Sequence, residues 1–320
     1  MSGGPPSSPC RMDKVTDIDY AAALAAESRK WGEHLQVEAS GEWHAWLDHP
    51  LVSRHYHARA LLDGRPWEAW AAHRLGRPAA RSLDLGCGAG EKSLTVHQAG
   101  STLETHGLDI SEDRIAAAER MRQAHGLPGQ FRVADVNTAT LPANTYDLIF
   151  SSHSLHHFLA LEHVMAQVHD ALTEDGLFIL EEFVGPTQFQ WTDQQIEVVK
   201  TLMALIPEDL RMLRWGAVKP YEGRPTVKDV VAASPFESIR SAEIVPIFKR
   251  TFHVIEIRPL GGTLQHLLYN GIVHNFTLDR RDATDYVQAI IDIEDAMIDS
   301  GLLPSDFALL IGRRRRTATQ

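Results

Sequence analysis

The chain has little cysteine, no long hydrophobic run and no excess of positive charge. Cysteine occurs twice in 320 residues, at Cys10 and Cys87, so we expect no structural disulfide and a reducing compartment. No apolar stretch approaches the ~20 residues that a membrane-spanning helix needs. The first residues, MSGGPPSSPC, lack the apolar core of a signal peptide. These absences predict a cytoplasmic protein without a membrane partner.

The charge balance argues against a nucleic-acid partner. The net charge is −11 at neutral pH, which does not favour nonspecific binding to nucleic acid. The hydrophobic content of 44% is typical of a globular protein. A chain of this length forms one large domain or a domain with a cap.

Strand-like and helical segments alternate through the middle of the chain. The strand-like segments read RSLDL, THGLDI, QFRVAD, YDLIFSS and GLFILEEF, and helical stretches separate most of them. This alternation predicts an α/β fold with a doubly wound parallel sheet. Because crossovers in such sheets are right-handed, the carboxyl ends of the strands share one edge, where ligands bind. FHVIEIRPL and FALLIGRR predict two further strands near the C-terminus.

Helical segments flank and interrupt this core, and both can lie over its ligand edge. The first twelve residues are rich in Gly, Pro and Ser, which predicts disorder. The patterns divide the chain into a disordered N-terminus at 1–16, a helical lid at 17–80, a cofactor-binding core at 81–185, a helical substrate cap inserted at 186–246, and the completion of the core sheet at 247–320.

The glycine loop after the first strand indicates a cationic ligand. Gly86, Gly88 and Gly90 alternate with other residues, whereas a dinucleotide fold has the spacing G-x-G-x-x-G. Asp84 precedes the loop and would repel a pyrophosphate, but it suits an ammonium or sulfonium group. Cys87 supplies a small side chain within the loop. No Gly-Lys-Ser/Thr follows, so a P-loop is excluded.

The next two strands also end in carboxylates. Asp109 ends the second strand, 19 residues after Gly90, and a carboxylate there can accept hydrogen bonds from both ribose hydroxyls. Asp135 ends the third strand, where it can accept a hydrogen bond from an adenine amino group. An amino-acid head, a ribose and an adenine together match S-adenosylmethionine.

The segments LDLGCGAGEKSL, GLDIS, ADV, YDLIFSSHSLHHF and LTEDGLFILEE resemble, in order, the motifs of class I S-adenosylmethionine-dependent methyltransferases. The resemblance covers roughly residues 80–183 and returns in the last strands. It implies a Rossmann-like, seven-stranded sheet with the last strand antiparallel. The cofactor residues that it implies are Asp84, Gly86, Cys87, Gly88 and Gly90 under the methionine and ribose, Asp109 on the ribose hydroxyls, Ile110 beside the adenine, Asp135 and Val136 at the base, and Ser152 and His153 facing the methionyl group and the substrate.

Proton handling is assigned to the edge formed by strands four and five. His157 follows the fourth strand, and an imidazole has a pKa suited to taking a proton from a hydroxyl or amine. Glu181 and Glu182 end the fifth strand on opposite faces, so we expect at least one to face the pocket. We choose His157 and Glu182 as the catalytic residues, although helix capping or a solvated strand end would also explain them. No H-E-x-x-H pattern is present, so we expect no metal site.

The sequence therefore predicts a methyltransferase for a small-molecule intermediate of biosynthesis or secondary metabolism. Transfer to oxygen or nitrogen is the first choice, and transfer to carbon of an apolar or prenyl-type acceptor is the second. Two alternatives stay open: an NAD(P)-dependent oxidoreductase, and a non-catalytic cofactor-binding partner protein. The acceptor and the oligomeric state, with a homodimer as one alternative, are not determined by the sequence.

Overall fold

A single seven-stranded sheet organises the chain. The computed structural model describes residues 19–38, 40–220 and 223–315, so the expected disordered segment 1–16 lies outside the described residues. The strand order is β3-β2-β1-β4-β5-β7-β6. The strands are β1 Ser82–Leu85, β2 Thr105–Asp109, β3 Gly129–Val133, β4 Tyr146–Ser152, β5 Leu172–Phe183, β6 Phe252–Gly261 and β7 Phe307–Arg314.

Strands β1 to β5 pair in parallel, whereas β7 runs antiparallel to both β5 and β6. The predicted Rossmann-like sheet with an antiparallel last strand is therefore confirmed. All five parallel strands end at the same edge, which carries Asp109 at the end of β2 and Ser152 at the end of β4.

Helices cover the sheet, with groups of them before β1 and between β5 and β6. The α-helices in the described residues are α1 Tyr20–Glu38, α2 Pro50–Arg59, α3 Trp67–Leu75, α4 Glu91–Gln98, α5 Glu112–His125, α6 Leu161–Ala171, α7 Asp193–Leu205, α8 Val227–Ala233, α9 Ile244–Thr251, α10 Gln265–Tyr269 and α11 Arg281–Asp299. Short 3-10 turns lie at Trp46–Asp48, Leu155–His157, Thr187–Phe189, Glu208–Arg211, Ser241–Glu243 and Val273–Asn275. No described helix is both long and apolar enough to cross a membrane.

Alternation along the central strands divides the core between the two faces of the sheet. Leu148 and Phe150 of β4 pack with Trp67 and other residues of the N-terminal helices. Ile149, between them, packs on the opposite face with Val164 of α6. Both faces of a parallel strand are buried in such a sheet, which explains the continuous apolar runs. The apolar faces thus leave only the strand ends free to carry polar groups.

The turn that leaves β6 depends on one buried carboxylate. Glu294 of α11 is 1% exposed, and its oxygens accept hydrogen bonds from the backbone N–H groups of Gly262, Leu264 and Gln265. The side-chain amide of Gln265 also donates to Glu294. These bonds fix the start of α10, which contributes His266 to a cavity described below.

We expect Glu294→Gln to lower the free energy of unfolding by about 2–4 kcal/mol, because charged hydrogen bonds to buried backbone groups are lost. Urea denaturation followed by circular dichroism measures the change. The control is Glu197→Gln in α7, whose exposed carboxylate pairs with Lys200 and should contribute less than ~1 kcal/mol. Equal stability of the two variants would contradict this role of Glu294.

Candidate active site

A cavity of about 430 Å³ lies at the carboxyl ends of the parallel strands, and we call it the first cavity. Helix α1 crosses it and contributes Leu24, Glu27 and Trp31 to its lining. The residues from the sequence analysis that line it are Asp84, Gly86, Cys87, Gly88, Asp109, Ile110, Asp135, Val136, Ser152, His153 and His157. Gly90 and Glu182 are not among the lining residues.

The glycine loop is shaped by close packing as well as by its conformation. Gly86 has φ +70°, and a Cβ at this position would lie 2.5 Å from the side chain of Ser154. Gly90 has φ +91° at the N-cap of α4, and its Cβ would lie 2.4 Å from Met121 Cε of α5. Gly86 thus lets the loop approach the turn after β4, whereas Gly90 lets α4 pack close to α5 outside the cavity.

Asp109 has the geometry expected of a ribose-binding carboxylate. Its Oδ2 accepts a hydrogen bond from the Gly88 N–H at 2.9 Å, and its Oδ1 accepts one from the Ser111 N–H at 2.9 Å. Each oxygen keeps acceptor capacity for a ligand hydroxyl. Burial raises the pKa of Asp109 despite these hydrogen bonds. The carboxylate therefore holds the glycine loop while one side borders the cavity.

Asp84 is a deeply buried acid in the lining of the first cavity. It is 1% exposed, and Ser93 donates a hydrogen bond to its Oδ2 at 2.7 Å. Burial raises the pKa of Asp84 to about 7. A cationic ligand beside Asp84 would favour its charged form, because an opposite charge compensates for lost solvation. This environment fits the ammonium and sulfonium groups of S-adenosylmethionine.

Asp135 connects the third strand to α1. The Tyr20 hydroxyl donates to Asp135 Oδ2 at 2.6 Å, while Asn137 donates to Oδ1 through its backbone and side chain. Burial, followed by the Asp135 carboxylate, raises the pKa of Tyr20. The residue expected to meet the adenine therefore also fastens α1 across the cavity.

Two further side chains, which make three hydrogen bonds, fasten α1 above the end of β2. The Ser28 hydroxyl donates to the carbonyl oxygen of Ile110 at 3.1 Å. The Arg114 guanidinium donates to the carbonyl oxygen of Trp31 at 2.8 Å and to Glu38 at 2.9 Å. The apolar stripe of α1 predicted a helix, but it did not identify which polar residues would reach the cofactor edge.

Glu27 of α1 is a site residue that the sequence analysis missed. It is 1% exposed, and its carboxylate accepts hydrogen bonds from Trp31 Nε1 and the Ser234 hydroxyl. Its Oε1 lies 3.1 Å from His157 Nδ1. Burial alone would raise the pKa of Glu27, but His157, Ser234 and Trp31 lower it to about 2. An acid four residues before Trp31 on the helix was the available signal, since both lie on one face.

Glu182 is completely buried and does not face the first cavity as expected. The backbone N–H groups of Ser154 and Leu155 donate to its Oε2 at 3.0 and 2.6 Å. The Phe183 N–H and His156 Nδ1 lie 2.6 and 2.5 Å from its Oε1. Burial alone would raise the pKa of Glu182, but the His156 imidazole and the backbone lower it. The geometry therefore gives no support to the prediction that Glu182 transfers a proton directly.

Glu181 is buried on the other face of β5 and does not line the first cavity either. Trp67 Nε1 donates to its Oε2 at 2.9 Å, and Lys92 Nζ donates to the same oxygen at 3.2 Å. Lys92 also donates to Glu68 at 2.9 Å. Burial alone would raise the pKa of Glu181, but Lys92 and His153 hold it well below its usual range. The expectation that Glu181 or Glu182 faces the pocket is wrong, because both carboxylates are occupied by hydrogen bonds and ion pairs within the protein.

A second cavity of about 870 Å³ adjoins the first. Trp31, Glu38 and His153 line both, so the two cavities meet at the end of β4. Its aromatic lining residues are Trp31, Trp43, Trp46, Phe189 and Phe307, with His34, His44, His153, His156 and His266 as imidazoles. This cavity joins the stretch after α1 to the start of α10, which lie far apart in the sequence.

The chain belongs to the family of methyltransferase domains, whose family model matches residues 77–245, more than half of the chain. The predicted membership in the S-adenosylmethionine-dependent methyltransferases, and the predicted cofactor, are therefore confirmed. The lining of the first cavity fits that cofactor, because Asp84, Asp109 and Asp135 border it in the order that the strands impose.

The relatives are similar to parts of this chain. Squalene methyltransferase 1 of Botryococcus braunii is 33% identical over 115 residues, which are 35% of this chain and 30% of that protein. Arginine-hydroxylase NDUFAF5 of Danio rerio is 32% identical over 110 residues, 34% of this chain and 32% of that protein. The matched region thus spans about a third of the length of these two relatives.

Two other proteins match over a longer stretch. The 27-O-demethylrifamycin SV methyltransferase of Amycolatopsis mediterranei (strain S699) is 27% identical over 192 residues, 56% of this chain and 70% of that protein. The solved structure of geranyl diphosphate C-methyltransferase from Streptomyces coelicolor A3(2) has a TM-score of 0.46 and 12% identity, covering 78% of this chain and 75% of that chain.

We expect Asp109→Ala to weaken binding of S-adenosylhomocysteine by ~1.5–3 kcal/mol, because a charged hydrogen-bond pair to the ribose is lost. Isothermal titration calorimetry measures the change. Glu112→Ala, an exposed acid at the start of α5, is the matched control and should bind as the unmodified protein does. Undiminished binding by the Asp109 variant would remove the ribose assignment.

Binding should also depend on pH through Asp84. Its carboxylate is neutral below a pKa of about 7 and charged above it, so affinity for a ligand ammonium should rise with pH. Titrations of S-adenosylhomocysteine at pH 5.5 and 7.5 should differ by roughly 20-fold, as expected for one proton released. Asp84→Asn should abolish this slope, and a slope that persists in the variant would assign it to another group.

Proposed function

We propose that the protein transfers the methyl group of S-adenosylmethionine to an oxygen or nitrogen atom of a small molecule bound in the second cavity. The observation that carries this proposal is the meeting of the two cavities at His153, with His157 in the wall of the first. When bound, the cofactor supplies an electrophilic methyl group on a sulfonium. The chain's contribution is then to position the acceptor, exclude water and receive a proton.

His157 is proposed as the proton acceptor, with Glu27 as its positioning residue. The Glu27 carboxylate lies beside His157 Nδ1 at 3.1 Å, which favours the tautomer that carries its proton on Nδ1. The lone pair of Nε2 is then free to take the proton of an acceptor hydroxyl or amine. The acceptor atom gains the methyl group as the carbon–sulfur bond breaks, the electron pair of that bond stays on sulfur, and the proton goes to the imidazole.

The lining of the second cavity supports an uncharged, ring-bearing acceptor. No lysine or arginine is among its lining residues in the described part of the chain, so nothing there matches a diphosphate or carboxylate. Its four acids are already engaged: Glu38 pairs with Arg114, Glu42 with Arg214 and Glu237 with Lys30, and Asp48 accepts two backbone hydrogen bonds. Its aromatic side chains and its volume suit a large molecule with planar rings.

The N-terminal helix is proposed to act as the lid. It closes the first cavity through Tyr20 and Ser28 and supplies Glu27 to the base. The insertion between β5 and β6 is proposed as the substrate cap, since Phe189 and Glu237 line the second cavity. Closure of α1 would therefore assemble the base and exclude water in one movement.

Carbon methylation is the second candidate, and the two glutamates of β5 now argue against it. For that chemistry Glu181 and Glu182 were the expected carboxylates beside the cation that methylation leaves, but neither lines the first or the second cavity. Glu27 and Glu237, which do, lie beside His157 and Lys30. Incubation with cofactor carrying a tritiated methyl group and with fractionated metabolite extracts tests the activity. Cofactor binding without any labelled product would favour the non-catalytic alternative, and tighter binding of NAD would favour the oxidoreductase.

With an acceptor identified, we expect His157→Ala to lower kcat ~10²-fold or more, because the general base is removed. Glu27→Gln should lower kcat by about tenfold and shift the pH profile of kcat, since it acts through the imidazole. The control is His169→Ala at a surface site beside Asp170, which should keep full turnover. If His157→Ala and Glu27→Gln also keep full turnover, His157 is not the base and positioning alone accounts for catalysis.

A further inference from the structure

His156, His157 and Glu237 form a cluster in the wall between the two cavities. One potential ligand atom of each residue lies within 4.8 Å of those of the other two, and His156 Nε2 is 3.6 Å from Glu237 Oε1. We propose that this histidine–glutamate cluster binds a divalent transition-metal ion such as Zn²⁺ through two imidazole nitrogens and one carboxylate oxygen. Tetrahedral metal–ligand bonds of about 2.0–2.2 Å place ligand atoms about 3.3–3.6 Å apart, so the side chains must close by at most about 1.5 Å.

Both imidazoles of the cluster are held from behind by buried carboxylates. Glu182 Oε1 is 2.5 Å from His156 Nδ1, and Glu27 Oε1 is 3.1 Å from His157 Nδ1. These two glutamates are 0% and 1% exposed. A carboxylate on one ring nitrogen fixes the tautomer and leaves the other nitrogen as a ligand, which is the usual arrangement behind metal-binding histidines. His156 has this arrangement as a hydrogen bond to Glu182. At His157, Glu27 lies close to Nδ1, but that buried nitrogen has no hydrogen-bond partner.

The charge of the cluster also matches a divalent cation. Three carboxylates, Glu27, Glu182 and Glu237, surround the two imidazoles, and Lys30 Nζ lies 3.3 Å from Glu237 Oε2. In the described residues no other lysine or arginine forms an ion pair with these carboxylates. The two imidazole rings lie side by side with their centres 4.2 Å apart. With Lys30 paired to Glu237, one divalent ion would supply the two positive charges that the three carboxylates still lack.

The position of the cluster leaves room for a further ligand. His157 lines the first cavity, whereas His156 and Glu237 line the second. A metal ion held by three protein ligands next to a cavity keeps an open position for water or another small ligand. The donor set of two nitrogens and one oxygen suits Zn²⁺ or Co²⁺ better than Mg²⁺ or Ca²⁺.

Metal binding would also affect turnover. This effect depends on the proposed function, whereas the metal site itself does not. His157 cannot bind a metal ion and act as the free base in the same molecule. We therefore expect Zn²⁺ to inhibit methyl transfer reversibly, with activity restored by a chelator. The cluster would then be an inhibitory metal site built around the general base.

The direct test is titration of the chelator-treated full chain with Zn²⁺ by calorimetry, and with Co²⁺ by visible absorption. We expect one ion per chain and cobalt absorption bands typical of four-coordinate geometry. His156→Asn keeps a donor near Glu182 but removes the distal nitrogen, and Glu237→Gln removes the carboxylate. Each should weaken Zn²⁺ binding at least tenfold, whereas His169→Asn at the surface should leave it unchanged.

Two results would overturn the metal site. One is the absence of stoichiometric Zn²⁺ binding by the unmodified chain. The other is unchanged Zn²⁺ affinity in the His156 and Glu237 variants when circular dichroism shows that both are folded. This readout is independent of catalysis, so it stands even if no acceptor is found. Binding at the cluster with undiminished turnover would support the metal site and overturn His157 as the base. The two proposals therefore fail through different measurements.

Discussion

The hydrogen bonds that converge on the buried carboxylate of Glu182 fix the part of the molecule on which both cavities depend. A charged group with no exposure must have its oxygens satisfied, and here backbone N–H groups on both sides of the β4–β5 edge satisfy them. The turn after β4 is thereby held against the end of β5. His153, with φ +52°, begins this turn and lies between the cavities, and His156 and His157 follow in the wall that separates them.

Helix α1 completes the arrangement from the opposite side. Its polar residues contact the ends of β2 and β3 through Ile110 and Asp135, and Glu27 reaches the imidazole that follows β4. Trp31 packs edge-on against His157 with ring centres 5.1 Å apart and also receives the Arg114 side chain over its ring. The same helix therefore borders both cavities and the proposed base, so the proposed closure of α1 would affect all three.

The wall between the two cavities combines imidazole rings with buried carboxylates. Glu27 and Glu182 lie behind neighbouring histidines, and the pKa values of both glutamates are lowered despite burial. Burial also lowers the pKa of His266 to about 4, so that imidazole stays neutral at the aromatic end of the second cavity. A wall of imidazole rings backed by buried carboxylates can bind a proton or a metal ion, and a bound metal ion would make the proposed base unavailable.

The sequence by itself determined the sheet, its ligand edge and the residues of that edge. Asp84, Asp109 and Asp135 could be predicted because consecutive parallel strands carry their terminal residues to one side, whatever the rest of the chain does. Glu182 could be placed at the edge but not oriented, since alternation does not reveal that helices bury both faces of β5. The pairing of His157 with Glu27, the approach of Glu237 and the second cavity were decided only by the tertiary structure. Those contacts join segments distant in the chain, and their partners follow from packing rather than from any local periodicity.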